Sequence, residues 1–542
     1  MALYSNFFRP DATVGQDQAL PGQVANHAGG HAWPVDDWAR LDRFLVLGSE
    51  GGTLYVSERK LTADNVAVVQ RCLAVDGARV VARIVELSEG GRAPKQAPAI
   101  LALACAAKRG DDATRAAAYA ALPRVCRTGT HLMHFAEYAQ LFGGWGRGMR
   151  RAMASWFNAR PADALAYQLV KYQARDGWST RDLLRLAHPR AASPSHDRLF
   201  HWVVKGALDA GALADPALAL VAAFERAKRA TSVAEIVALV RDHKLPREAV
   251  PTVWLREAAV WEALLVDMPL GAMVRNLATM TRVGLIATGA SATAAITARL
   301  ADTRQLSRAR LHPVAILAAL TTYQRGHGAR GDATWTPVAA IVDALDGAFY
   351  QSFRTIVPSG RRTLLALDVS GSMSMGEVAG VPGLTPRLAS AAMALCTAAT
   401  ERDHGFVAFT GGGHGSTAAS VNACITELDI SPRQRLDDVV RRVSDLPFGA
   451  TDCALPMVWA QAAKRAVDVF VIYTDSETWA GSVHPAAALR AYRQATGIAA
   501  KLIVVGMTSN GFTIADPDDA GMLDVVGFDT ATPAVIADVA RA

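Results

Sequence analysis

At Pro358 the hydrophobic pattern of the chain changes period, and that change limits the folds open to it. From Asp36 to about Arg354, apolar residues recur at helical spacing in segments of about 10 to 16 residues joined by short turns. After Pro358, short apolar runs alternate with helical segments. The runs are Thr363 to Leu367, Gly405 to Phe409, Val467 to Tyr473 and Leu502 to Val505; the helices lie near Arg387 to Glu401, Pro432 to Ser444, Asp452 to Arg465 and Pro485 to Gln494. Such alternation predicts a doubly wound α/β sheet, with its ligand site beyond the carboxyl ends of the strands.

The 542 residues exceed what one core serves, so the chain divides into an arm (1–35), a helical domain (36–357) and an α/β domain (358–542). The arm is rich in Gly, Pro, Asn and His, but Phe7, Phe8 and Trp33 predict that it is pinned to something apolar. Consecutive helices with short connections fit antiparallel pairs stacked as an α-solenoid, and a helical bundle fits the same pattern, since no strict repeat is visible. Helix starts are explicit at Asp215-Pro216 and at the capping-box-like Ser179-Thr180-Arg181-Asp182; Arg160-Pro161 and Met268-Pro269 mark similar starts.

Six cysteines without a C-x-x-C pair argue against a disulfide framework and a zinc knuckle, and predict a reducing, cytoplasmic setting. No uninterrupted apolar run approaches a membrane span, and the first residues lack a signal-peptide pattern, so no membrane partner is expected. Net charge is +6, unevenly spread: residues 361–542 carry 14 Lys and Arg against 19 Asp and Glu, leaving 42 against 31 in residues 1–360. A basic front fits a polyanion partner or a solvated surface.

Two constellations carry chemistry. Asp368-Val369-Ser370-Gly371-Ser372 ends one apolar run, Asp475 ends another, and Thr451 sits in the loop between. Hydroxyls and carboxylates without thiol or imidazole suit a hard divalent cation such as Mg²⁺, although they also serve as caps of turns. These five residues resemble the metal-ion-dependent adhesion site of von Willebrand factor A domains. The resemblance implies that Ser370, Ser372 and Thr451 bind Mg²⁺ through hydroxyls and Asp368 and Asp475 directly or through water, leaving a position open to a partner's carboxylate. A two-metal nuclease would need more carboxylates, so hydrolysis is disfavoured and no catalytic residue is expected. The second constellation interleaves basic and aromatic residues. Gly143 to Arg151 carries Trp145, Arg147, Arg150 and Arg151; Tyr167 to His188 carries Lys171, Arg175, Trp178, Arg181 and Arg185, with Lys171 and Arg175 four apart on one helix face. Such residues pair phosphates and stack bases, and can equally form a solvated face. His131, His134 and Glu137 lack metal-site spacing and are expected to pack and hydrogen-bond, while Asp516, Asp518 and Asp519 mark an exposed turn.

The runs Phe44 to Gly52, Gly91 to Lys95, Gly143 to Arg151, Lys171 to His188, Met280-Thr281 and Gly506 to Pro517 resemble the TROVE domain and tail of the Ro 60 kDa family, specifically its bacterial members. The resemblance implies a ring-shaped domain of HEAT-like helical repeats followed by a von Willebrand factor A domain. It further implies a monomer that binds small noncoding Y RNA on its outer surface and single-stranded 3′ ends of misfolded or damaged RNA in a central hole, assisting exoribonucleases reached through the Y RNA. Lys171, Arg175 and His188 match positions used for Y RNA; Arg147, Arg150, Arg151, Arg181 and Arg185 are added from composition. The alternative is a metal-dependent adhesion or assembly module on an α-solenoid scaffold.

Overall fold

The computed structural model describes residues 14–50, 52–309, 311–328, 332–351, 357–378, 383–411, 424–431, 434–446, 449–528 and 531–542. Phe7, Phe8, Gly51, Arg354 and Pro432 lie outside these. The chain forms two compact units, one of residues up to Val68, Arg92–Pro94 and Phe349–Ala542, the other of Val69–Gly91 and Lys95–Ala348.

The first unit begins with an N-terminal segment that pairs and packs. Strands β1 (Val24–Ala25) and β2 (His31–Pro34) pair antiparallel, and helix α1 (Asp37–Leu47) starts where the Asp36 carboxylate accepts from the amide of Ala39. Trp33 is 6% exposed and packs into the same core as Leu489 and Ile514, so the apolar anchor expected of Trp33 is found.

The second unit is helical. Of its helices, six bear on function: α2 (Gly129–Leu141), α3 (Arg147–Asn158), α4 (Ala162–Lys171), α5 (Thr180–Ala187), α6 (Val233–His243) and α7 (Ala258–Asp267), with α8 (Leu270–Arg282) following directly. Between α4 and α5 the chain makes a hairpin of β3 (Ala174–Arg175) and β4 (Trp178–Ser179). Its turn, Asp176-Gly177, has both residues at positive φ, 52° and 78°, the Asp-Gly signature of a two-residue hairpin. Lys171 and Arg175 therefore do not share a helix face as their spacing predicts: Lys171 is the last residue of α4 and Arg175 lies in β3. The Ser179 capping box forms with Asp182, and Asp215 caps a short 3₁₀ turn. Pro161 and Pro269 take the cap positions themselves, one residue before the expected first helical turn.

Back in the first unit, six strands form one sheet: β5 (Thr363–Asp368), β6 (His404–Phe409), β7 (Ile425–Leu428), β8 (Val469–Thr474), β9 (Lys501–Gly506) and β11 (Met522–Val526), while β10 (Phe512–Thr513) pairs antiparallel with β2. Their order across the sheet is β11-β9-β8-β5-β6-β7. All neighbours are parallel except β6 and β7. Helices α9 (Pro386–Thr400), α10 (Leu436–Ser444), α11 (Leu455–Ala462), α12 (Pro485–Thr496) and α13 (Ala531–Arg541) complete the unit. Strands β5 and β8 are buried along their whole length, which is why they read as unbroken apolar runs. Sheet order reverses at β5, with β6 on one side and β8 on the other, so the ends of β5 and β8 meet at a topological switch point.

Candidate functional site

Asp368 closes β5 with its side chain fully buried. Its Oδ1 accepts from the amide of Ser370 at 2.9 Å and its Oδ2 from the hydroxyl of Thr474, the last residue of β8, at 2.6 Å. Ser370 Oγ and Ser372 Oγ lie 3.2 Å apart. Asp475 follows β8, buried, and Ser372 donates to it while the Asp368 carboxylate acts on it. Thr451 is buried in its loop, and its carbonyl accepts from the amides of Trp479 and Ala480, both at 3.0 Å. The structure thus brings Asp368, Ser370, Ser372 and Asp475 together in one hydrogen-bonded cluster and places the Thr451 loop against the loop after Asp475.

Burial pushes the carboxyl groups of Asp368 and Asp475 up, Asp475 also because Asp368 and Glu477 crowd it with like charge. The guanidinium of Arg387, bonded to the carbonyls of Val369 and Ser370, supplies one opposing charge. Among the described residues no cluster of three or more His, Cys, Asp or Glu is arranged to hold a metal ion, so any bound cation would depend on the hydroxyls as well. Buried carboxylates beside convergent hydroxyls are a donor set that a hard divalent cation fits: Asp368, Ser370, Ser372, Thr451 and Asp475 would hold it.

Several residues of this site were invisible to motif reading. Tyr55 hydrogen-bonds Ser372, and its phenol is pushed up to about 12 by burial and by Asp475, Glu477 and Asp368. Gln16, fully buried, donates through Nε2 to Asp452 Oδ1 at 2.7 Å and accepts from the Thr478 hydroxyl, bridging two of the site's loops. Asn26 Nδ2 donates to the Thr478 carbonyl at 2.7 Å, and His27 meets Glu477 at 2.9 Å. All four lie hundreds of residues before the loops they hold, at positions without motif spacing.

In the helical unit, the two basic segments meet. Helix α3 packs on α5, and the hairpin packs on α2 and α5. Trp145 and Trp178 lie with ring centroids 5.8 Å apart, and Trp178 Nε1 donates to Glu137 at 2.9 Å. Arg147, Arg150, Arg151, Arg181 and Arg185 are exposed, and so is His188, which ends α5 in the left-handed region at φ 46°. Among the described residues these five guanidiniums have no carboxylate partner. Arg175 is exposed 3.5 Å from Asp176, whose carboxylate also contacts His134. Lys171 Nζ donates to the Tyr167 hydroxyl at 3.1 Å and lies 5.2 Å and 5.6 Å from the ring centroids of Tyr167 and Tyr172. His131 is held below its ordinary range, near about 4, by burial and by Arg127 and His134. His131, His134 and Glu137 are thus committed to packing and to holding the hairpin. Asp516 and Asp519 pair with Arg490 and Arg493.

Family comparison divides the chain into two matched regions. The TROVE domain model matches residues 24–322, and the Ro60 vWA domain model residues 362–540. The chain belongs to the Ro60 family. Two relatives are both named RNA-binding protein RO60. That of Deinococcus radiodurans is 44% identical over 521 residues, covering 96% of this chain and 95% of its own; that of Caenorhabditis elegans is 38% identical over 599 residues, covering 96% and 90%. The crystal structure of Deinococcus radiodurans RO (RSR) protein superposes with a TM-score of 0.70 at 44% identity, covering 93% of this chain and 99% of that one. The Ro60-family architecture, a helical TROVE region followed by an A domain with a mixed sheet, is the one the strands and helices show. No described helix is long and apolar enough to cross a membrane.

Proposed function

We propose that this chain is an RNA-binding protein whose RNA face is the surface of α3, the β3–β4 hairpin and α5. One observation carries the reading: five exposed arginines without carboxylate partners among the described residues stand on two packed helices beside the Trp145–Trp178 pair. Unpaired guanidiniums are free to neutralise phosphates, and the ring pair offers a stacking platform. The relatives' printed name supports the same polyanion.

The finer reading is that Lys171, Arg175 and His188, with Arg147, Arg150, Arg151, Arg181 and Arg185, bind a small noncoding Y RNA. Single-stranded 3′ ends of misfolded RNA form a second class of ligand, and an exoribonuclease partner is reached through the Y RNA in the cytoplasm, the protein being a monomer. The test is a gel-shift titration of wild type and Lys171→Ala/Arg175→Ala with the small RNA that co-purifies from the native cells. A selective loss of that RNA supports the assignment; unchanged affinity removes it.

A second reading attaches to the A domain. The buried carboxylates and hydroxyls at the ends of β5 and β8 favour a Mg²⁺ site that grips a partner's carboxylate. No residue of either site is assigned a catalytic role, and RNA kept intact through long incubation with Mg²⁺ is the expected result; cleavage that disappears in Asp368→Ala would replace binding with hydrolysis.

A further inference from the structure

Beside the proposed RNA face, the helical unit holds a cavity of about 390 Å³ walled by α4, the end of α6, the turn after it, α7 and the start of α8. Its volume lies in the range of small-molecule sites rather than packing defects. The linings divide by chemistry. Val240, Ala263 and Leu264 are buried apolar residues, and Tyr167 adds an aromatic wall. Three cations belong to the lining, Lys171, Lys244 and Arg247; Arg247 is exposed and has no carboxylate partner among the described residues. Asp163, Glu248 and Asp267 also line it, Asp267 lying 3.8 Å from Lys244. Asn276 Nδ2 is committed to the Ala272 carbonyl at 2.8 Å, which fixes the orientation of its amide.

A bare inorganic anion gains little here, because three carboxylates oppose the three cations. A purely apolar ligand would leave both sets of charges desolvated. A nucleotide uses every part: its base has flat faces for Tyr167 and the apolar wall, its ring N–H and amino groups donate to Asp163 or Glu248, and its phosphate meets Lys171 and Arg247. Lys171 lines the cavity, ends α4 just before the hairpin of the RNA face, and is one of the residues assigned to RNA in the finer reading above. We propose that the cavity seats one unstacked nucleotide of the bound RNA, base inward and phosphate at Lys171 and Arg247. The inference rests on the RNA-binding reading above.

The test uses the full-length protein with nucleoside 5′-monophosphates as probes, read by saturation-transfer NMR, and with a single-stranded oligoribonucleotide read by gel shift. The variant Ala272→Phe fills the cavity without changing charge. Wild type is expected to bind the monophosphates, Ala272→Phe to lose that signal, and its oligonucleotide affinity to fall about fivefold to tenfold, the scale of one stacked base. Arg150→Ala/Arg181→Ala separates the two readings: it should weaken oligonucleotide binding about tenfold and keep the monophosphate signal. No monophosphate signal from wild type overturns the seat whether or not Ala272→Phe folds. Signal surviving in a folded Ala272→Phe, or equal competition by inorganic phosphate, overturns it too, while weakened oligonucleotide binding in Arg150→Ala/Arg181→Ala leaves the RNA face standing. Wild type that fails to bind the oligonucleotide removes the reading beneath both.

Discussion

The cluster around Asp368 and the arginine face of α3 and α5 are both polar, and they are built in opposite ways. Around Asp368 the side chains are buried and spend their hydrogen bonds on one another before any ligand arrives. On α3 and α5 the guanidiniums are exposed and, among the described residues, have no carboxylate partner. A buried carboxylate without bonds or counter-charge is costly, so the first region must be organised by the fold. An exposed arginine costs little, so the second is organised only by what it meets. Perturbing the first should therefore read out as stability, and perturbing the second as affinity and salt dependence.

The largest effect should come where the first region is most tightly fitted. A Cβ on Gly30 would sit 2.0 Å from the carbonyl of Thr478 and 2.7 Å from Trp479 Cα, so Gly30→Ala must push β2 away from the loop that Asn26 and Gln16 hold. Overpacking of this kind costs about 3 kcal/mol. Denaturant unfolding should show a lower midpoint, and an unchanged curve would mean that the segment does not brace the site. Next comes the cation itself. If Mg²⁺ occupies the cluster, saturating it at about one hundred times its dissociation constant adds about 2.7 kcal/mol to stability. Thermal melts with and without Mg²⁺ should show this for wild type and not for Asp368→Ala, while RNA affinity stays equal in the two. An RNA affinity that tracks Mg²⁺ would erase the distinction between the regions.

What the sequence reveals of each region follows from the same physics. Asp368, Ser370 and Ser372 are legible because a strand end and a turn place alternate residues at one point, and the unbroken apolar runs of β5 and β8 say which ends meet. The short strands β7, β10 and β11 leave weaker patterns; Met522–Val526 is half exposed along most of its length and lacks the apolar density of β8. Gln16, Asn26, His27 and Tyr55 are illegible, because their partners lie hundreds of residues away and nothing local requires them. Lys171 and Arg175 fail for a different reason. Helical spacing is a property of an uninterrupted helix, and Asp176-Gly177 turns the chain into a hairpin first.

For the arginine face, Arg150→Ala/Arg181→Ala should weaken RNA binding about tenfold, or about 1.4 kcal/mol, with no change in melting temperature. The slope of log affinity against log salt should flatten by about 0.7 for each phosphate that the variant no longer neutralises. A slope unchanged beside a lowered affinity would mean that these arginines act through structure.

The smallest expected effect checks that the sheet beneath the Asp368 cluster does not answer to Mg²⁺ in the same way. Asp468, just before β8, accepts from the amide of Arg362 at 3.0 Å and from its guanidinium at 2.9 Å and 2.5 Å, joining the amino ends of β5 and β8 opposite the cluster. Those hydrogen bonds hold the Asp468 carboxyl below its usual range. A depressed carboxylate contributes stability above its unfolded value, near about 4, and loses it as pH falls through the folded value. Wild type should therefore lose more stability than Asp468→Asn as pH falls below about 4. Because the Arg362 side chain is 42% exposed, solvent screening limits the difference to about 1 kcal/mol. It should change little with Mg²⁺, since the pair lies at the other end of the strands; an acid limb that moved with Mg²⁺ would couple the two ends of β5 and break the assignment of stability to the cluster alone.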